Sequence, residues 1–443
     1  MKHFEQKIII KFAALTQAFL ILLIAYKTSF SLRPFIDEIV SLSSSNNFFK
    51  SLIFQGPPST PYGSAFSPNL TTGPIASVGS NIGLFFFDSI YKLRFFNFCY
   101  LYIVQIAFSL ILAKKYKLSF FHLTMFSSFV IVSVPWWYSS LYSLGDLICT
   151  YIFINSLFLY SFYPKSTVFV MSLTIFYGRI LLLIPFLGFY LFKLFKKRKL
   201  NLKEILVFSI PPFLWIWLIF NFSTYNNLFD YLKDYFQIIY STNPSINKVG
   251  GLSFIDTLKN SDIVFWNPAD FLRVLISPLM LSYLIFNSKK FNTNFMKKIK
   301  FPAFYSYIGF YLAFWLLSPT RSIIYSQIFT TIVLLLSLLS FMEQDMINKF
   351  EQAAVFLIIS FYFSSLNLII FGFALFLINT FIKTFVNPRS LLVFLITLNY
   401  FNLFYETGQK DSFENINFES CIENIQSVEC FENYLDNSYI FDK

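Results

Sequence analysis

The sequence predicts an all-α protein: a polytopic bundle of about 13 transmembrane helices (range about 11–14), with amphipathic juxtamembrane helices in its first outer loop. Three observations carry that expectation. Of the 443 residues, 56% are hydrophobic and only 13% charged, and the mean hydropathy is +0.60. A soluble domain carries about 25% charged residues and could not hide this much apolar surface in one core. Apolar runs long enough to cross about 30 Å of hydrocarbon recur from one end of the chain to the other. Finally, the Lys and Arg residues cluster between alternate runs, as the positive-inside rule requires. The same composition excludes collagen, coiled coil, intrinsic disorder and a small disulfide scaffold.

The runs follow in order. The first is Ile8–Tyr26; no small-residue cleavage site follows it, so it reads as an uncleaved span. Phe96–Ala113, Ser119–Pro135 and Leu147–Phe162 come next, then a short pair, Thr167–Tyr177 and Ile180–Phe195, broken at Gly178-Arg179. Ile205–Phe220, Phe271–Phe286, Phe301–Leu317 and Ile323–Phe341 continue the series. Ala353–Leu366, Ile369–Ile382 and Leu391–Phe404 close it. The membrane body is thus residues 1–404, and residues 405–443 form a tail.

Charge orients these spans. With the N-terminus inside, the inner segments hold Lys114, Lys115 and Lys117, the run Lys196-Lys197-Arg198-Lys199, and Lys289, Lys290, Lys297, Lys298 and Lys300. Lys383 and Arg389 fall inside as well. Two long loops, residues 27–95 and 221–270, then face the non-cytoplasmic side. An odd span count sends the tail there too. That tail holds nine acidic residues and two lysines, although the whole chain has a formal net charge of +11. The expected location is a multi-pass protein of a bacterial inner membrane, with its working face on the periplasmic side and membrane lipids around it. The basic excess is absorbed by topology, and no basic face with interleaved aromatics indicates nucleic acid.

Cys421 and Cys430 share the outer tail, in a compartment that permits disulfides, and are expected to form a bridge; two free thiols are the alternative. Cys99 and Cys149 fall inside spans and read as small buried apolar residues. With two His and no CxxC pair, a zinc site has no basis. Walker, GxGxxG, GxSxG and HExxH motifs are absent, so an ATP-driven pump or a soluble-type hydrolase has no support.

The carboxylates carry the chemical signal. Asp37-Glu38 follows the first span closely, in Arg33-Pro34-Phe35-Ile36-Asp37-Glu38-Ile39-Val40. Its apolar neighbours put the pair at the membrane surface, where partial desolvation raises a carboxylate toward the range of a general base. Two acids solvating a loop helix is the plainer alternative. Adjacent side chains on a helix diverge by about 100°, so one of the two aims at a given substrate atom. The same loop continues Thr71-Thr72-Gly73-Pro74, then Gly79, Gly83 and an apolar stretch ending at Arg94. There Ile82, Phe85, Phe86, Ile90 and Leu93 recur at helical spacing, which reads as one amphipathic helix in the interface. Asp146 follows Gly145 at the outer start of the fourth span, behind Trp136-Trp137-Tyr138 and Tyr142. Topology brings Asp37, Glu38 and Asp146 to one membrane face.

This ordered set resembles the GT-C class of polytopic glycosyltransferases, the mannosyltransferases and aminoarabinose transferases that use polyprenyl-phosphate sugars. The matching elements are the acidic pair, the Thr-Thr-Gly-Pro turn, the juxtamembrane helix ending in Arg94, the Gly145-Asp146 pair and the Gly178-Arg179 break. They cover roughly the first 200 residues. The resemblance implies transfer of a sugar from a lipid-linked donor to a glycan, lipid or protein acceptor. Asp37 would be the catalytic base, with Glu38 as the alternative or as its assistant, and Asp146 would orient the acceptor. Gly73, Pro74, Arg94, Arg179 and Arg321 would bind substrate, and Arg179, Arg321 and Arg273 are the candidate partners of the donor phosphate. Each arginine taken alone also reads as a snorkelling interfacial residue. Relatives often carry Lys where this chain has Arg179. No cofactor is required; the acidic pair could hold Mg²⁺ or Mn²⁺, which nothing in the sequence demands.

Two other readings remain open at this level. A secondary transporter would carry ionisable residues at mid-membrane and related halves with interrupted helices, whereas these acids fall in outer loops. A polysaccharide polymerase or ligase would also use lipid-linked sugar but would centre on a later large loop.

Overall fold

A computed structural model describes residues 2–31, 38, 78–83, 85–87, 90–117, 134–142, 145–178, 182–197, 201–222, 227, 229–230, 397 and 400. Among them the regular structure is helical throughout: α1 Lys2–Ser31, α2 Val78–Gly83, α3 Ile90–Tyr116, α4 Val134–Leu141, α5 Gly145–Leu159, α6 Pro164–Phe176, α7 Leu183–Lys197 and α8 Leu202–Phe222. Six of the expected spans coincide with α1, α3, α5, α6, α7 and α8. The third run lies mostly outside the described residues, as do the six from Phe271 onward apart from Thr397 and Tyr400. Within α1 and α3, the segments Lys11–Phe30 and Tyr91–Tyr116 are long and apolar enough to cross a membrane. At 1.5 Å per residue the 26 residues of the second span about 39 Å.

Side-chain contacts set the helix directions. Tyr26 meets Phe95 edge-on and Phe30 stacks on Tyr91, so α3 descends against the end of α1. In α5, Asn155 donates to Gln105 of α3 (2.8 Å), and the Phe158 carbonyl accepts from Tyr116 (2.7 Å), so α5 runs parallel to α3. A turn at Tyr160–Tyr163 reverses the chain into α6, which opens on Pro164, where the missing N–H costs nothing. Where α3 ends, Lys117 takes a left-handed φ of 57°, a common way to close a helix.

Close approach explains two glycines. The return of α6 onto α5 puts Gly178 against Cys149, where a Cβ would overlap the sulfur and the Thr174 carbonyl. At the head of α3, a Cβ on Gly79 would stand 2.5 Å from the Asn97 Oδ1.

α8 carries Pro211 and Pro212 in its interior. Pro212 has no N–H to give the carbonyl four residues back, which is Phe208. That carbonyl instead accepts the Ser172 hydroxyl of α6 at 2.7 Å. The sequence defect of one helix is thus the docking point for its neighbour.

One expectation is corrected. The stretch from Ile82 to Arg94 is not a single amphipathic helix. α2 ends at Gly83; Phe85 and Phe86 form a turn held by the Phe86 N–H to Gly83 carbonyl bond (2.8 Å); α3 begins at Ile90. The apolar positions split, Phe85 and Phe86 exposed on the turn and Leu93 buried. Short-range backbone bonding and the close seat of Gly79 and Gly83 on α3 outweigh the helical spacing.

Candidate functional site

One end of the bundle gathers the polar groups singled out in the first loop. It is built from the end of α1, α2, the head of α3, the end of α4 and the start of α5. Arg94 lies in the second turn of α3, facing inward, only 2% exposed. Its guanidinium donates through Nε to Glu38 Oε1 (2.7 Å) and through Nη2 to Oε2 (2.6 Å), a bidentate fork. Nη1 donates to the Ser29 carbonyl at 3.2 Å. Ser29 is two residues from the end of α1, where carbonyls lack helical partners, so a cation there is doubly suited. The Tyr142 and Tyr91 rings lie 5.1 and 5.8 Å from the guanidinium carbon. Glu38 is 1% exposed, and both of its oxygens are engaged.

Three residues along α3, Asn97 continues the same polar face. Its Oδ1 accepts from the Ser80 N–H (3.2 Å) and its Nδ2 donates to the Ser140 carbonyl (2.7 Å). One amide thus ties α2, α3 and α4 together. Phe98 beside it meets Trp136 and Trp137 edge-on, at 5.5 and 4.9 Å. Trp136 is buried, so it serves packing as well as the interfacial level. Tyr142 is followed four residues later by Asp146, whose backbone occupies the first turn of α5. α6 also ends here: Tyr177, its hydroxyl buried with no hydrogen-bond partner, precedes Gly178.

The structure therefore brings Glu38 and Arg94 into direct contact, with Tyr142 beside the guanidinium; Asp146 lies in the first turn of α5. Asp37, Gly73, Pro74, Arg179 and Arg321 lie outside the described residues, as do Cys421 and Cys430. Sequence reasoning missed Asn97 and the pairing of Arg94 with Glu38. The signal was present: Arg94, Asn97, Gln105 and Ser109 recur at three- and four-residue steps on one face of an otherwise apolar span, and polar groups at that depth need partners.

Comparison with solved structures adds the fold. A crystal structure of ArnT from Cupriavidus metallidurans bound to undecaprenyl phosphate superposes with a TM-score of 0.51, over 90% of this chain and 78% of that one, at 13% identity. The fold is ArnT-like. The apo form of the same ArnT matches with a TM-score of 0.46 at 11% identity, over 92% of this chain and 78% of that one. No protein-family model matches the chain, and no curated protein does. The ArnT-like fold extends over 90% of the chain, beyond the roughly 200 residues in which the sequence elements were found.

Proposed function

We propose that this chain is a membrane glycosyltransferase that moves a sugar from a polyprenyl-phosphate donor to an acceptor on the non-cytoplasmic face, with Asp37 as general base. A fold alone does not fix an activity. The observation that carries the reading is the anchoring of the acidic pair: Glu38 is buried and forked by Arg94, and the peptide bond holds Asp37 one residue away. The ArnT-like fold supports it, in a neighbour crystallised with undecaprenyl phosphate.

In this reading the two acids divide the work. Glu38 accepts both of its strong bonds from Arg94 and acts as the anchor, while Asp37 keeps its carboxylate for the substrate. The acceptor hydroxyl gives its proton to Asp37 as its oxygen attacks the anomeric carbon from the face opposite the phosphate. The anomeric carbon–phosphate oxygen bond breaks, and the electron pair leaves on the lipid phosphate, with inversion. Arg179 and Arg321 would stabilise that leaving group, Gly73 and Pro74 would shape the loop around the donor, and Asp146 would orient the acceptor.

The test is transfer of radiolabelled sugar from a polyprenyl-phosphate donor in proteoliposomes. Asp37→Asn keeps the shape and should lower turnover by about 10²–10⁴-fold while donor binding persists. Arg179→Ala and Arg321→Ala should chiefly raise KM. Turnover of Asp37→Asn at the wild-type rate would overturn the assignment.

A further inference from the structure

The opposite end of the bundle carries a different chemistry. There the ends of α3, α5 and α7 meet the starts of α6 and α8. Tyr116 of α3 donates to the Phe158 carbonyl and packs edge-on against Phe162 at 4.8 Å. Lys115 sits over the Tyr163 ring at 4.6 Å. Tyr160 packs edge-on against Phe189 of α7 at 4.9 Å. Five helix ends and a turn thus form one rim.

Among the described residues between 90 and 222, this rim carries Lys114, Lys115, Lys117, Lys165, Lys193 and Lys203, and one acid, Glu204. That acid is consumed. Glu204 is 2% exposed; its carboxylate accepts from Lys193, from the Tyr160 hydroxyl (2.9 Å) and from the Asn201 amide (2.6 Å). Lys193 in turn lies over the Tyr160 and Tyr190 rings. Lys114, Lys117, Lys165 and Lys203 remain exposed, from three different helix ends. At the same level Phe195 and Leu202 are 77% and 71% exposed, apolar groups beside the cations.

Positive-inside bias explains why lysines occur here, but not why the one acid is buried and neutralised in place. We propose that this rim is a binding surface for anionic phospholipid: the exposed lysines take the headgroup phosphate, and Phe195 and Leu202 take the upper acyl chain. Each lysine near an anionic surface contributes about 1 kcal/mol, a factor of about five in affinity. Four of them therefore separate an anionic headgroup from a zwitterionic one by far more than tenfold, provided no buried acid offsets them. Among the described residues of this rim, the Lys193–Glu204 pair neutralises the one acid. The inference stands apart from sugar transfer, since it concerns the end remote from Arg94 and Glu38.

The experiment uses the full chain in nanodiscs of equimolar phosphatidylglycerol and phosphatidylcholine, followed by native mass spectrometry of the lipids that stay bound. Both leaflets have the same composition, so the result does not depend on orientation. Wild-type protein should retain phosphatidylglycerol over phosphatidylcholine at least tenfold. The quadruple variant Lys114→Gln, Lys117→Gln, Lys165→Gln, Lys203→Gln should lose that preference, and the same four positions changed to Arg should keep it. Lys92→Gln, an exposed lysine at the Arg94 end, should leave it intact. Equal retention of the two lipids by the wild type, or an unchanged preference in the quadruple Gln variant, would overturn the proposal. Asp37→Asn should behave as wild type here, so failure of the lipid surface and failure of the catalytic reading are separable.

Discussion

Replacing Arg94 with Met keeps much of the side chain's bulk and removes its charge, leaving the Glu38 carboxylate buried without its cationic partner. The cost follows from the geometry. Arg94 supplies two charge-assisted bonds of 2.7 and 2.6 Å, and the two side chains are 2% and 1% exposed. Breaking a buried pair from one side costs about 3–5 kcal/mol, because the orphaned charge loses its partner without regaining water. Against a total stability of about 5–15 kcal/mol that is a large share. Glu38→Gln strands the guanidinium in the same way, though Arg94 keeps the Ser29 carbonyl and two tyrosine rings, so its loss should be smaller. The double variant Glu38→Gln, Arg94→Met has no stranded charge and should be more stable than Arg94→Met alone. The pair should therefore show a coupling of about 2 kcal/mol. Arg94→Lys keeps the charge but cannot fork the carboxylate, and should fall between wild type and Arg94→Met. The assay is the unfolding midpoint in detergent at a fixed scan rate, followed by Trp fluorescence. Additive losses in the double variant, or a wild-type midpoint for Arg94→Met, would refute the reasoning.

Two further outcomes concern the frame around the site. Gly178→Ala places a Cβ into the Cys149 sulfur and the Thr174 carbonyl, so α5 and α6 must separate; the midpoint should drop by an amount equivalent to about 1–3 kcal/mol. Ser172→Ala leaves the Phe208 carbonyl without its hydroxyl donor where Pro212 supplies no N–H, and should cost about 1–3 kcal/mol. Restoring the helical bond by Pro212→Ala should recover part of the Ser172→Ala loss in the same unfolding measurement.

Much of the helical frame was legible in the sequence because membrane burial calls for runs of apolar residues: α1 and α3 carry segments long enough to cross, and α5, α6 and α7 carry shorter apolar runs. The break at Gly83 was not legible. Ile82, Phe85, Phe86, Ile90 and Leu93 obey helical spacing, and spacing cannot register a turn stabilised by two or three local backbone bonds. The site was half legible. Carboxylates scarce enough to stand out marked Asp37, Glu38 and Asp146, but no pattern along the chain links Glu38 to an arginine 56 positions later. Pairing of that kind is a property of which helices pack, and the contact between the ends of α1 and α3 decides it.

Burial explains why Glu38 cannot be an ordinary solvated charge. A carboxylate that only solubilised a loop would keep its water. Glu38 has exchanged its water for Arg94, Arg94 for the Ser29 carbonyl, and Asn97 cross-links the three helices around them. Such an arrangement does not maximise stability, since an apolar pair of the same volume would serve as well or better. What it provides is direction: a forked guanidinium fixes the plane of its partner carboxylate. A transferase that works at the membrane surface needs its base held within a fraction of an ångström of a hydroxyl presented by a mobile lipid substrate. In the proposed reading, Glu38 as the anchor beside Asp37 as the base would meet that need with two adjacent residues.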